Sequence, residues 1–212
     1  TFEKFLDYLP EEYKKKVEKK IAKKSAQNKD VKFNYTAVTH PIIQKDNTYI
    51  LISEFYYPTY VYVTTYDASG KAKSSKRFDG YQYSHAMTVG LDENGEKIWD
   101  NLFEMSVYPK PFIPKKYINT SINKYNELNM LYATENSINT KSFNLKSGSA
   151  ISDETFDLIK RDDKDDKVKW TTSTNEYWYD QNYLVFGYQR IKDLDTKDKK
   201  TVYYVTKVSI KD

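Results

Sequence analysis

Carboxylates and oxygen donors are the groups from which this 212-residue chain could build chemistry, because it has no Cys and only two His, His40 and His85. Without thiols there are no disulfides, thiolate nucleophiles or thiolate metal sites. Neither His neighbours a Gly-x-Ser-x-Gly elbow, so no Ser-His-Asp arrangement is legible. Glu54 and Glu104 lie in apolar, strand-like settings, and they are the acids to test for glycoside hydrolysis. No catalytic residue is assigned beyond those two candidates.

Three oxygen-rich stretches invite a cation. In "LDENGE", Asp92, Asn94 and Glu96 alternate like the first ligands of a calcium loop. Gly95 then falls at the fourth position instead of the sixth, and Phe103 occupies the twelfth, where a bidentate Glu is needed. A hairpin turn over Asn94-Gly95 accounts for the stretch instead. "RDDKDDK" (161–167) and "DLDTKDKK" (193–200) interleave Lys with their acids and read as solvated loops. No metal is assigned, and Asp193, Asp195 and Asp198 form the set to test.

Six scattered Gly make neither a phosphate loop nor a dinucleotide fingerprint, so no cofactor is implied. What remains is aromatic: 21 Tyr, 10 Phe and 3 Trp. Tyr57, Tyr60, Tyr62 and Trp178 are the candidate binding residues, since flat rings with polar tips suit sugars or a protein partner. Net charge is +4, and residues 1–30 hold nine Lys against six carboxylates, so basicity is local and no nucleic-acid partner is expected.

These residues need elements to position them. Apolar residues at Phe2, Phe5, Leu6, Leu9, Tyr13, Val17 and Ile21 predict helix over 2–27, restarting at Pro10. From Val31 the period changes to two, and 31–40, 48–57, 59–67 and 84–92 read as strands, with a hairpin at Asn94-Gly95. Further strands are expected at 117–126, 127–134, 137–145, 152–161, 173–180, 182–191 and 200–210. The organisation expected is a helical segment, 1–29, then a β domain, 30–212, of three strand groups: 30–110, 111–161 and 170–212. No stretch of 18 apolar residues is present, so no transmembrane segment is expected.

The phrase "GLDENGEKIWDN", with Asp-x-Asn-Gly and then Trp99, resembles the outer hairpin of blades in quinoprotein-dehydrogenase-like β-propellers. Residues 48–115, with "EFYYPTY" and "FDGYQYSHAMTVGLDENGEKIWDNLFEM", are similar to uncharacterised exported proteins of the Bacteroidota. The resemblance implies a mainly β fold of repeated antiparallel sheets, propeller-like and partial or open, with a β-sandwich as the alternative. It implies no quinone site, and places the protein in the periplasm or at the cell surface. The expected function is a non-enzymatic envelope module that binds or scaffolds, contacting a glycan or protein through its aromatics. Two alternatives stand beside it: a glycan hydrolase with paired carboxylates, and a structural subunit pairing through strand edges. Oligomeric state is left open.

Overall fold

The computed structural model describes residues 4–30, 33, 35–135, 137–158 and 166–210. The chain divides into two compact units, Thr1–Lys116 and Tyr117–Asp212.

In the first unit, Pro10 opens the single described helix, α1 (Glu11–Ser25), with Glu11 and Glu12 in its first turn and Lys23 and Lys24 in its last. Both ends thus complement the helix dipole. The expected helix over residues 4–9 is instead a run of turns, closed by Asp7 N–H to Lys4 O and Leu9 N–H to Leu6 O. Pro10 offers no N–H and fixes its own φ at −53°, so the helix starts anew there.

Five strands follow: β1 (Thr36–Thr39), β2 (Ile43–Lys45), β3 (Thr48–Tyr66), β4 (Ala72–Leu91) and β5 (Lys97–Glu104). They form an antiparallel sheet in the order β1-β3-β4-β5, with β2 also on β3. The two strands expected at 48–57 and 59–67 are one, because Pro58 is absorbed at a bulge between Pro58 and Tyr60. The first half of β4, residues 72–83, escapes a periodicity reading because "KAKSSKR" has no apolar alternation.

Ile50, Ile52, Glu54 and Tyr56 are buried on one face of β3. Trp99 lies across Gly90, its register partner, where an added Cβ would sit 2.3 Å from the ring. On the opposite face, Phe5 and Tyr8 cover Phe55 and His85.

The second unit holds two antiparallel sheets. One runs β6 (Asn119–Ile122), β7 (Glu127–Ala133), β8 (Ser137–Asn144), β9 (Ala150–Asp157) in sequential order. The other comprises β10 (Asp166–Thr171), β11 (Thr174–Tyr179), β12 (Asn182–Asp193) and β13 (Lys199–Ser209). There β12 is central: β13 lines one edge, and β10 and β11 share the other. Leu131, Ala133, Ile138, Leu158, Tyr183 and Val185 form a core common to the two sheets. None of the three sheets closes on itself.

One turn device recurs along the chain. The side-chain oxygen of Asp67, Asp92, Asn123, Asn144 or Asp193 accepts two backbone N–H groups from the residues just ahead of it. A residue with positive φ then closes each turn: Gly70, Gly95, Asn126, Gly148 and Lys197. With few Gly available, Asx turns fix the hairpins.

Candidate functional site

The acids that sequence reasoning paired do not meet. Glu54 aligns with Ala86, and Ala86 with Phe103, so Glu104 leaves the sheet from the face opposite Glu54. Glu54 is fully buried, and its Oε1 accepts from His40 Nε2 at 2.7 Å. That pairing was not anticipated, since His40 read only as a strand end. His85, aligned with Phe55 and Glu104, is fully buried between the rings of Phe55 and Tyr8 at 4.9 and 4.2 Å. Ser84 Oγ lies 3.0 Å from its Nδ1, while Nε2 has no partner. Burial pushes the imidazole from 6.5 down to about 4, so it is neutral near pH 7. The His85 imidazole is thus enclosed by aromatic packing, and the His40 side chain is 11% exposed.

Both cation candidates resolve into turns. Asp92 Oδ1 accepts from the N–H groups of Asn94 and Glu96 at 2.9 and 2.8 Å. Asp193 Oδ1 accepts from Asp195 and Thr196, both at 2.8 Å, and these backbone hydrogen bonds hold its carboxyl below the usual range. Asp193 and Asp198 border a shallow pocket together with Lys199 and Lys200, and the Lys200 charge acts on Asp193. Among the described residues, no three His, Asp or Glu converge on one point. Residues 161–165 of "RDDKDDK" lie outside the described residues.

The aromatic candidates separate. Tyr57 packs edge-on to Tyr35. Tyr60 and Tyr62 sit on the distal part of the β3–β4 hairpin, 47% and 76% exposed. Trp178 occupies a bulge of β11 beside Tyr179, 52% exposed.

A larger constellation, missed in the sequence, lies on the outward face of the β10–β13 sheet. Alternate residues of β12 point into the core, namely Tyr183, Val185, Gln189 and Ile191, so Leu184, Phe186, Tyr188, Arg190 and Lys192 point out. Register extends each into a cross-strand row: Lys167, Lys192 and Lys199; Trp170, Arg190 and Thr201; Tyr188 with Tyr203; Thr174, Phe186 and Val205; Glu176, Leu184 and Lys207; and Tyr179, Asn182 and Ser209. Rows two residues apart are separated by about 6.7 Å, so the face runs about 33 Å from end to end. Tyr188 and Tyr203 meet at 5.2 Å and are 51% and 56% exposed, and the Lys207 ammonium lies 5.6 Å from the Tyr179 ring.

Lysines placed directly opposite one another destabilise a sheet. The row Lys167, Lys192, Lys199 is therefore a local cost, and these three ammoniums lower the pKa of neighbouring Lys169. Aromatics that look remote from cations along the chain are thus flanked by them in space. A pairing pattern across β10, β12 and β13 could have revealed the face, had the register been known.

The second unit also contains a cavity of about 490 Å3, bordered by Glu127, Asn129, Thr140, Ser142, Glu154 and Phe156 among others. A polar network backs it: Gln181 Oε1 accepts from Ser121 and Asn129, and Tyr183 O–H donates to Ser121 Oγ at 2.7 Å.

No protein-family model, curated protein or solved structure matches the chain. Among the described residues, no helix is long and apolar enough to cross a membrane.

Proposed function

We propose that the protein is a non-enzymatic binding module whose outward β10–β13 face takes an extended, sparsely anionic glycan strand. The single observation that carries this is the register of that face, which stacks exposed rings in the middle and a cluster of cations at one end. Tyr and Trp lying flat on a sheet offer apolar area to sugar rings at little entropic cost, and their polar tips reach ring hydroxyls. Lys167, Lys192 and Lys199 at one end would meet carboxylate or sulfate groups, whereas at the other end Glu176 shares the row of Lys207 and offsets its charge. A single-stranded nucleic acid carries a phosphate at every residue and needs cations along its whole path. The central rows, Tyr188 with Tyr203 and Phe186 with Val205, carry none. An envelope location, implied by the resemblance of residues 48–115, suits such a ligand and belongs to the same proposal. The core shared by the two sheets of the second unit supports a sandwich there in preference to propeller blades.

Affinity electrophoresis through gels containing a polyuronate, a neutral glucan or no polymer tests the reading. Retardation by the polyuronate, reduced about tenfold or more in Tyr188→Ala/Tyr203→Ala, supports it. Equal mobility in all three gels, or tighter binding of a single-stranded oligonucleotide in a parallel titration, overturns it.

A hydrolase remains the second reading because the second-unit cavity brings Glu127 and Glu154 to one polar space. Asn123 Nδ2 already donates to Glu127 Oε2 at 2.7 Å, which orients that carboxylate. If Glu127→Gln and Glu154→Gln leave every measured glycosidase activity unchanged, that reading fails.

A further inference from the structure

Beyond Tyr57 and Gln82 the β3–β4 hairpin continues as a two-stranded arm to the turn at Asp67, where Tyr66 still pairs with Ala72. β1 pairs with β3 only through Tyr56, and β5 with β4 only through His85; past it the 105–112 segment follows the β4 side as far as Phe78, through Tyr81 N–H to Pro111 O and Phe78 on Phe112, and leaves the β3 side untouched. Of the described residues ahead of β1, Phe33 packs on Phe5, which packs on Phe55, and Tyr35 packs on Tyr57. Among the described residues, no strand covers β3 from Thr59 to Tyr66.

The two edges of this arm differ in chemistry. The β4 side carries Lys71, Lys73, Lys76 and Arg77, the kind of charge that keeps an edge strand from pairing with another chain. On the β3 side, "YVYVTTY" (60–66) has no charge, no Pro and no Gly, and consists wholly of β-branched and aromatic residues. Tyr62 and Tyr66 are 76% and 72% exposed. An isolated two-stranded ribbon is marginal in water, and a free apolar edge is a template for strand addition. Among the described residues, one edge is guarded and the other is open.

We infer that the β3 edge of the arm pairs with the same edge of a second copy, in a two-fold antiparallel ladder centred on Val63. The centre follows from the uncharged stretch: moving it toward either end brings Pro58 or Asp67 into the ladder. About Val63, Tyr60 faces the partner copy's Tyr66, Val61 faces Thr65, Tyr62 faces Thr64, and Val63 faces itself. Aromatic and β-branched cross-strand pairs of this kind stabilise a sheet. A two-fold axis normal to the ribbon keeps even-numbered residues on one side, so Tyr60, Tyr62 and Tyr66 of both copies share a face. The cationic β4 strands become the outer edges of a four-stranded sheet, roughly 14 Å apart at the usual strand spacing. Pairing through β4 instead would set lysines and Arg77 against each other. The interface is isologous and closes, giving a dimer and no fibre.

Sedimentation velocity of the full chain from about 1 to 100 µM should show a monomer–dimer equilibrium. Val63→Lys and Val63→Glu each place like charges face to face, and should weaken the dimer at least tenfold. An equimolar mixture of the two should restore it, because the heterodimer pairs opposite charges. Ser74→Lys, on the guarded edge, should leave association unchanged. Since the chain has no Cys, mild oxidation of Val63→Cys should cross-link two copies through the introduced thiols, whereas Ser75→Cys should not. The cross-link reads the edge directly even if charge at Val63 loosens the arm. A wild-type chain that stays monomeric at 100 µM, a dimer that survives Val63→Lys, or open-ended oligomers would each overturn the inference.

Discussion

Replacing His85 by Phe should remove the stability loss that this one imidazole contributes between pH 6.5 and about 4. In the folded chain the imidazole is sealed between Phe55 and Tyr8, with Phe5 edge-on at 5.3 Å, and burial lowers its pKa from 6.5 to about 4. Between those two values the unfolded chain binds a proton that the folded chain does not, so stability rises with pH across this window. The group costs nothing above about pH 6.5 and its full amount below about pH 4. Each pH unit of the gap is worth about 1.4 kcal/mol, giving a total near 3 kcal/mol. For a chain of this size that is roughly 6–12 °C in Tm. Phe in the same slot keeps the stacked packing and removes the unpartnered Nε2, giving up only the Ser84 contact, worth about 1 kcal/mol. Urea denaturation of both proteins at pH 7.5, 6, 5 and 4.5 checks this. The difference between the two stabilities should move by about 1.4 kcal/mol per pH unit in favour of the variant as pH falls. Parallel curves, with a constant difference, would refute the assignment of His85 as a buried neutral base.

Three further outcomes follow from packing and turns. Gly90→Ala should destabilise by about 1–3 kcal/mol in urea, because its Cβ would fall 2.3 Å from Trp99 and the ring would have to move. Tyr183→Phe should cost about 1–3 kcal/mol, since the Tyr183 hydroxyl joins the two sheets of the second unit through Ser121 and its loss leaves that buried hydroxyl short of a donor. Asp193→Ala should lower stability by about 1 kcal/mol through loss of the two turn hydrogen bonds, and millimolar calcium should leave the wild-type melting curve unmoved; a clear upward shift would restore the cation reading.

Local signals were readable and relations between distant segments were not. The turn at Asn94-Gly95, the helix start at Pro10 and the strand character of β3, β12 and β13 follow from short-range chemistry that each segment carries within itself. The distal half of β4 was hidden because its strand character comes from pairing with "YVYVTTY", while its own residues alternate nothing apolar. Glu54 was legible as a carboxylate in an apolar run, but its partner His40 was not, because antiparallel pairing of β1 with β3 joins them. The pairing of Glu54 with Glu104 failed on parity: Glu104 lies one residue from Phe103, the position aligned with Glu54, and one residue along a strand is a change of face. The outward face of the last sheet is the extreme case. Its lysines come from three strands, and only the register sets Lys167, Lys192 and Lys199 in one row or brings Tyr203 beside Tyr188.

Hydroxyl-radical footprinting of the full chain, with and without a saturating polyuronate oligosaccharide, tests the central claim most directly. The account predicts protection concentrated at Trp170, Tyr179, Tyr188 and Tyr203, relieved by high salt as the lysine contacts are screened. Protection confined to Tyr60, Tyr62 and Tyr66 of the arm or to Phe156 in the second-unit cavity, with the outward face unchanged, would contradict it.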